Sequence, residues 1–286
     1  MSRNEITHFL DIFSHKHALN NILNEAIYLK THCQNFEFSP LKNKTITMIF
    51  DKPSTRTRLS FEIGMHQLGG QSYYVKGDEV GLAHRESIQD VARVISRYTD
   101  FILIRTFEHE DIKTFSDFSA VPVINGLSNI AHPCQTIADL LTILEHKQSL
   151  ADLKIVYLGD LNNVSLSLKQ AAEALGFLFV ISGPNHDKSQ FDSSSIVFEQ
   201  DPTKAIKDAD IIYTDVWVSM GQDEDLDSVK KSFLPYQVTM DLIHQAKKDV
   251  RFMHCLPAQR GNEVTNDVIE SSHSIVFDQA ENRLHA

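Results

Sequence analysis

Apolar residues along this chain follow two rhythms that take turns. Short runs rich in β-branched residues recur at 46–50, 72–75, 101–104 and 121–124, and again at 154–158, 178–181, 211–214, 251–254 and 274–277. Between most of them the spacing changes to the i, i+3, i+4 pattern of a helix with one buried face. Leu19, Ile22, Leu23, Ala26 and Ile27 form one such face, and Ile137, Leu140, Leu141 and Leu144 another. Strand, helix and strand in succession form a crossover, which makes neighbouring strands parallel and places helices on both faces of the sheet. The expected fold is α/β: two doubly wound domains, each a mostly parallel sheet flanked by helices. A helix over 133–146 separates the two series, so the expected domains are 1–147 and 148–286.

The polar residues give that architecture a purpose. Open parallel sheets bind ligands beyond the carboxyl ends of their strands. Here those ends read Asp51, Arg105, Asn125, Gly159-Asp160, Ser182-Gly183, Asp215 and His254-Cys255. Two polar rims predict a two-substrate site in a cleft between the domains.

The densest chemistry follows the first strand. Ile46-Thr47-Met48-Ile49-Phe50 ends at Asp51-Lys52-Pro53, and Ser54-Thr55-Arg56-Thr57-Arg58 then opens a helix whose face is Phe61, Gly64, Met65 and Leu68, with Gly69-Gly70 as its stop. Three hydroxyls and two guanidinium groups at a helix N-terminus suit a phosphate, because free N–H groups and the positive dipole end already favour an anion there. Only one of Arg56 and Arg58 is expected to face it, since residues two apart on a helix point to different sides.

Composition narrows the classes. The chain has 286 residues, 42% hydrophobic and 23% charged, enough for two cores. With 27 Lys+Arg against 38 Asp+Glu the net charge is -11, which argues against a nucleic-acid or anionic-membrane surface. Cys33, Cys134 and Cys255 are too few for a disulfide framework and fit a reducing compartment. No apolar run reaches the roughly 18 residues of a membrane span and the start is unlike a signal peptide, so a cytoplasmic protein is expected.

Other motifs sit where ligands would. Arg105 ends an apolar strand, where a charge calls for a partner. His132-Pro133-Cys134-Gln135 opens a long helix and aims donors at an oxygen atom, although a plain helix start reads the same way. Gly159-Asp160-Leu161-Asn162-Asn163 lacks the later glycines of a dinucleotide fingerprint, so no nicotinamide cofactor is expected. Asp215-Val216-Trp217-Val218-Ser219-Met220-Gly221 offers a carboxylate for a ligand ammonium group, or a turn cap. His254-Cys255-Leu256-Pro257, with His132 and Cys134, lacks metal-ligand spacing, and no metal is expected.

Taken together, these motifs resemble the ornithine carbamoyltransferase family over nearly the whole chain, from His8-Phe9-Leu10 through Glu86-Ser87, Asn125-Gly126-Leu127 and the segments above to Glu281-Asn282-Arg283. The phosphate motif and His-Pro-x-Gln are shared with aspartate carbamoyltransferases. Asp-Val-Trp-Val-Ser-Met-Gly and His-Cys-Leu-Pro resemble the ornithine branch. The resemblance implies transfer of a carbamoyl group from carbamoyl phosphate to the side-chain amine of L-ornithine, giving L-citrulline and phosphate, a step of arginine biosynthesis that needs no cofactor. It further implies a carbamoyl phosphate site of Ser54, Thr55, Arg56, Thr57, Arg105, His132, Pro133, Cys134, Gln135, Cys255, Leu256 and Arg283. Arg105, His132 and Cys255 would be its catalytic members, and Asn163, Asp215, Ser219 and Met220 would bind ornithine. A homotrimer is implied, as is a C-terminal segment from about 279 packing back on the first domain.

Two departures qualify the resemblance. The chain stops at Ala286, where relatives continue into a further helix, which implies weaker docking of the C-terminus. The loop Gly77 to Arg85 carries Glu79-Val80 and no glutamine to reach a neighbouring subunit. The competing expectations are a carbamoyltransferase acting on aspartate, putrescine or an N-acylated ornithine, and a noncatalytic relative.

Overall fold

The computed structural model describes residues 7–32, 38–81, 85–184, 193–218 and 226–286. The chain divides into two compact units, Met1–Leu141 with Asn282–Ala286, and Thr142–Glu281.

The first unit holds a four-stranded parallel sheet of β1 (Thr45–Phe50), β2 (Gln71–Lys76), β3 (Phe101–Arg105) and β4 (Val123–Leu127), in the order β2-β1-β3-β4. All but the first residue of β1 and of β3 are buried, as befits strands covered on both faces. Ile49, Ile102, Ile104, Ile112 and Phe115 form one core cluster, and Ile46, Met48, Phe50 and Leu103 another, so alternate residues of the strands supply the two faces. Phe50 lies in register with both Lys76 and Arg105, which brings three strand ends level.

The second unit holds a five-stranded parallel sheet of β5 (Lys154–Leu158), β6 (Leu178–Ser182), β7 (Ile196–Phe198), β8 (Ile211–Thr214) and β9 (Arg251–His254), in the order β7-β6-β5-β8-β9. Val156, Leu158, Val180, Ile212 and Phe252 lead its core. In each sheet the first strand is central: the chain winds outward on one side, then returns to continue on the other. The reversal falls between β1 and β3 and between β5 and β8, and a crevice at such a reversal is where open α/β sheets bind ligands.

The α/β class and the parallel sheets are as expected, with local corrections. Residues 274–277 are not a strand. Ser274 bridges Phe252 and the N–H of Ile275 donates to the Phe252 carbonyl at 3.0 Å, but a helix begins at Val276. A short apolar run does not distinguish strand from helix by period alone. The run expected at 121–124 is β4 at Val123–Leu127, which moves Asn125 from the rim into the strand. There it is fully buried, with Nδ2 donating to the Leu10 carbonyl at 2.8 Å. The stretch read as a loop from Gly77 starts as a short helix, Gly77–Val80. Strand β7, three residues long, carries too little pattern to be read from sequence.

Candidate functional site

The first switch point begins with a helix cap. Helix Thr55–Gln67 starts at Ser54, whose Oγ accepts the N–H of Thr57 at 3.2 Å. Other N–H groups of the first turn have no acceptor within the helix and point along its axis. Thr57 is buried, and its Oγ1 accepts from Nη2 of Arg283 at 3.2 Å. Arg283 lies near the end of helix Val276–His285, so a residue 226 positions away completes the phosphate motif. Arg58 is drawn aside: Nε donates to Glu62 at 2.8 Å and the guanidinium sits 4.0 Å over the Tyr74 ring. Arg56 is exposed at the helix start.

Across the switch point Arg105 ends β3 and is 5% exposed. Lys52 is nearly as buried, with Nζ 4.1 Å over the Phe107 ring; burial first, then the Arg105 charge, hold its pKa down, against a smaller opposing pull from Glu108. His132 precedes helix Pro133–Lys147. Burial, then the charges of Arg283 and Arg105, hold its imidazole well below the ordinary range, so it is neutral at pH 7. A neutral imidazole close enough to feel both guanidinium charges can donate a hydrogen bond without adding a third charge. Gln135 is buried and its Nε2 donates to Asp139 at 2.9 Å, so its amide is oriented to accept as well as donate, where the sequence suggested a donor alone. The Cys134 thiol donates to the Asn125 carbonyl at 3.4 Å and burial raises its pKa, which makes it a packed side chain. A cavity of about 880 Å³ opens beside this helix start, lined by Asp51, Pro53, Lys76, Arg85, Thr106 and Asp111 among others.

The second switch point centres on a carboxylate. Gly159 leaves β5 at φ 146°, a conformation glycine adopts readily. Helix Asn163–Leu175 follows, with Asn162 as its N-cap in a reciprocal capping box with Ser165. Asp215 comes directly after β8; its Oδ2 accepts from Asn162 Nδ2 at 2.8 Å and its Oδ1 from the Cys255 thiol at 3.2 Å. Asn163, the expected ornithine contact, is the first residue of that helix and half-buried. Cys255 leaves β9 in a turn where Leu256 adopts φ 56°, uncommon for a residue with a side chain. The Leu256 N–H donates to Nδ1 of His254 at 2.9 Å, and Nε2 of His254 lies 3.1 Å from Glu263, both residues fully buried. One ligand atom each of Asp215, His254 and Cys255 lies within 4.8 Å of the others, a spacing that could hold a metal. Both ring nitrogens of His254 are already hydrogen-bonded, so ligation would break a buried pair.

The structure thus brings Ser54, Thr57, Arg105, His132, Gln135 and Arg283 into the first unit, and Asn163, Asp215, Cys255 and Leu256 into the second. Ser219, Met220 and Gly221, with Cys33, lie outside the described residues. Sequence reasoning passed over Lys52, Glu263 and the link from Asn162 to Asp215. The first Asn of an Asn-Asn pair at a predicted helix start was the available signal for the last.

Comparison with known proteins finds two domain families in succession along the chain. Residues 7–145 match the family described as aspartate/ornithine carbamoyltransferase, carbamoyl-P binding domain, and residues 151–286 match its Asp/Orn binding domain. The chain is 51% identical over 254 residues to an ornithine carbamoyltransferase of Archaeoglobus fulgidus, covering 86% of this chain and 83% of that one. It is 50% identical over 258 residues to one of Thermococcus kodakarensis, covering 86% and 82%. The solved ornithine carbamoyltransferase of Pyrococcus furiosus superposes with a TM-score of 0.92 at 44% identity, over 97% of this chain and 93% of that one. With both domain families matched in order and half of the aligned residues identical, the chain belongs to the aspartate/ornithine carbamoyltransferase family.

Proposed function

We propose that this chain transfers the carbamoyl group of carbamoyl phosphate to the side-chain amine of L-ornithine, giving L-citrulline and phosphate. The observation that carries the first half is a pair of buried guanidinium groups, Arg105 at the end of β3 and Arg283, which donates to Thr57 in the first turn of a capped helix. Two buried guanidinium groups favour a multiply charged anion, and the helix N-terminus adds N–H donors. In this reading Ser54, Thr55, Arg56, Thr57 and Arg283 hold the phosphate, Arg105 reaches both phosphate and carbonyl oxygen, and His132 donates to that carbonyl oxygen. Gln135, held by Asp139, accepts from the carbamoyl N–H₂. Pro133 and Cys134 serve as backbone of the same turn.

Reaction forms a C–N bond to the amine and breaks the bond from the carbonyl carbon to the phosphate oxygen, with one proton lost from nitrogen. Negative charge gathers first on the carbonyl oxygen and then on the departing phosphate. Donors fixed at those positions stabilise the transition state more than the ground state. Asp215 binds the α-ammonium group of ornithine, with Asn163, Ser219 and Met220 orienting the rest. The attacking amine must be neutral, whereas an alkylammonium titrates at about 10.4 in water, and Cys255, whose thiol donates to Asp215, is assigned to positioning it. Leu256 contributes its backbone. Positioning two substrates supplies much of the rate, since no covalent enzyme intermediate is required.

The test is ureido-product formation from carbamoyl phosphate with L-ornithine, run beside L-aspartate, putrescine and N-acetyl-L-ornithine. Selective product with ornithine is expected. Preference for another acceptor would overturn the reading of Asp215, and no product with any acceptor would overturn catalysis altogether. The proposed assembly is a homotrimer, which the mass of a single chain in light scattering would rule out.

A further inference from the structure

Asp215 is held by more than its own strand, and its two oxygens have different partners. Oδ1 accepts from the Cys255 thiol at 3.2 Å and from the N–H of Val216 at 2.8 Å, while Oδ2 accepts from Nδ2 of Asn162 at 2.8 Å. Asn162 is itself anchored at its far end. Its Oδ1 accepts the N–H groups of Val164 and Ser165, each at 3.0 Å, and its own N–H donates to Ser165 Oγ at 2.9 Å. Turning the amide over would set its N–H₂ against two N–H donors, so the network fixes which atom faces Asp215. Tyr157, on the strand that leads to Asn162, is a fully buried ring stacked on Tyr213 at 5.6 Å. Burial first, then the charges of Asp215 and Cys255, push the Tyr157 hydroxyl well above its ordinary pKa, so it stays protonated under the carboxylate.

A helix cap needs only an acceptor, and Ser, Asp or Thr would supply one. Among the residues that cap well, asparagine alone also carries an N–H₂ donor, and here that donor is spent on Asp215. We propose that Asn162 is a positioning residue for ornithine recognition: its capping amide locks the Asp215 carboxylate to the start of helix Asn163–Leu175 and so fixes where the amino acid's α-ammonium group binds. The inference rests on the reading of Asp215 as the ammonium partner.

Asn162→Ser keeps the cap acceptor and removes the donor. The expected result is a rise of about tenfold in KM for ornithine, the scale of one hydrogen bond to a charged group, with KM for carbamoyl phosphate within about twofold of wild type and the thermal midpoint unchanged. In an Asp215→Asn background the same substitution is expected to add nothing further, because no carboxylate remains to be positioned. An unchanged ornithine KM in Asn162→Ser, or an equal loss in both backgrounds, would overturn the proposal. Should Asn162→Ser fail to fold, Asn162→Asp keeps the cap oxygen and replaces the donor by an acceptor, and is judged in the same cycle. A wild type that prefers another acceptor would overturn the ornithine reading alone. The cycle run with that acceptor then decides Asn162 by the same criterion.

Discussion

At the switch point between β1 and β3 the cations Arg105, Lys52 and Arg283 gather round a neutral His132, with Asp51 and Asp111 on the cavity wall; burial first, and then the neighbouring positive charges, hold the pKa of Lys52 and His132 down. At the switch point between β5 and β8 a single carboxylate is surrounded by donors, with Asn162, the Val216 N–H and the Cys255 thiol all directed at Asp215. Both crevices arise from the same winding rule. They differ in what is left for a ligand to do. In the first, like charges have been gathered against their mutual repulsion, and an anion relieves that repulsion when it binds. In the second, the network satisfies itself, so a ligand gains mainly by fitting the carboxylate's fixed position. In the proposed reading, charge drives recognition in one half and geometry governs it in the other.

The comparison is broken most severely by removing Arg105. Arg105→Ala is expected to lower kcat by about 10²–10³-fold or more, as loss of a transition-state donor does, with the far-ultraviolet spectrum and thermal midpoint near those of wild type. Near-normal turnover would show that charge does not dominate the first half. Asp215→Asn keeps the size of the side chain but removes its charge and turns one of its two acceptor oxygens into an N–H₂ donor. Its expected effect is a rise of about ten- to a hundredfold in KM for ornithine, with KM for carbamoyl phosphate little changed, and an equal rise for both substrates would erase the division of labour. The smallest effect concerns pH. His132 is neutral in the fold because its pKa lies well below the ordinary 6.5. As pH falls through about 6.5 the unfolded chain takes up a proton that the folded chain refuses. Stability is therefore full above that point and declines with acid until the folded value is reached. Burial of His8 and His109 lowers their pKa in the same direction, so the informative quantity is the difference between wild type and His132→Gln in thermal melts from pH 7.5 to 5.5. An identical acid limb in the two would show that His132 is not held neutral against its neighbours.

Much of this was readable from local pattern. Ser54 to Arg58 form one contiguous stretch, and Arg105 and Asp215 declare themselves as charges at the ends of apolar strands. Two doubly wound sheets follow from alternation alone. The order β2-β1-β3-β4 does not, because strand neighbours are chosen by packing between distant segments. For the same reason Asn125 was misread: a strand that runs on to Leu127 instead of ending at 124 turned a supposed rim residue into a buried strut between Leu10 and Cys134. Gln135 was assigned as a donor because its tie to Asp139, one helical turn on, depends on side-chain orientation. Arg283 entered only through resemblance to a family, since a lone arginine in a polar helix has no pattern that points to Thr57.

That last contact has a consequence for how the protein comes into being. The first unit takes Met1–Leu141 from the early part of the chain and Asn282–Ala286 from its end, and Arg283 must close a loop of 226 residues to meet Thr57. Loop closure grows only slowly more costly with length, so the contact is affordable once the remainder has folded. On the ribosome, however, the N-terminal sheet emerges long before residue 283 is added. A nascent chain can assemble the helix start at Ser54 and the strand ending at Arg105, but Arg283 reaches Thr57 only after the second unit has been made. In the proposed reading, a fragment ending before residue 283 binds carbamoyl phosphate more weakly than a chain that reaches it.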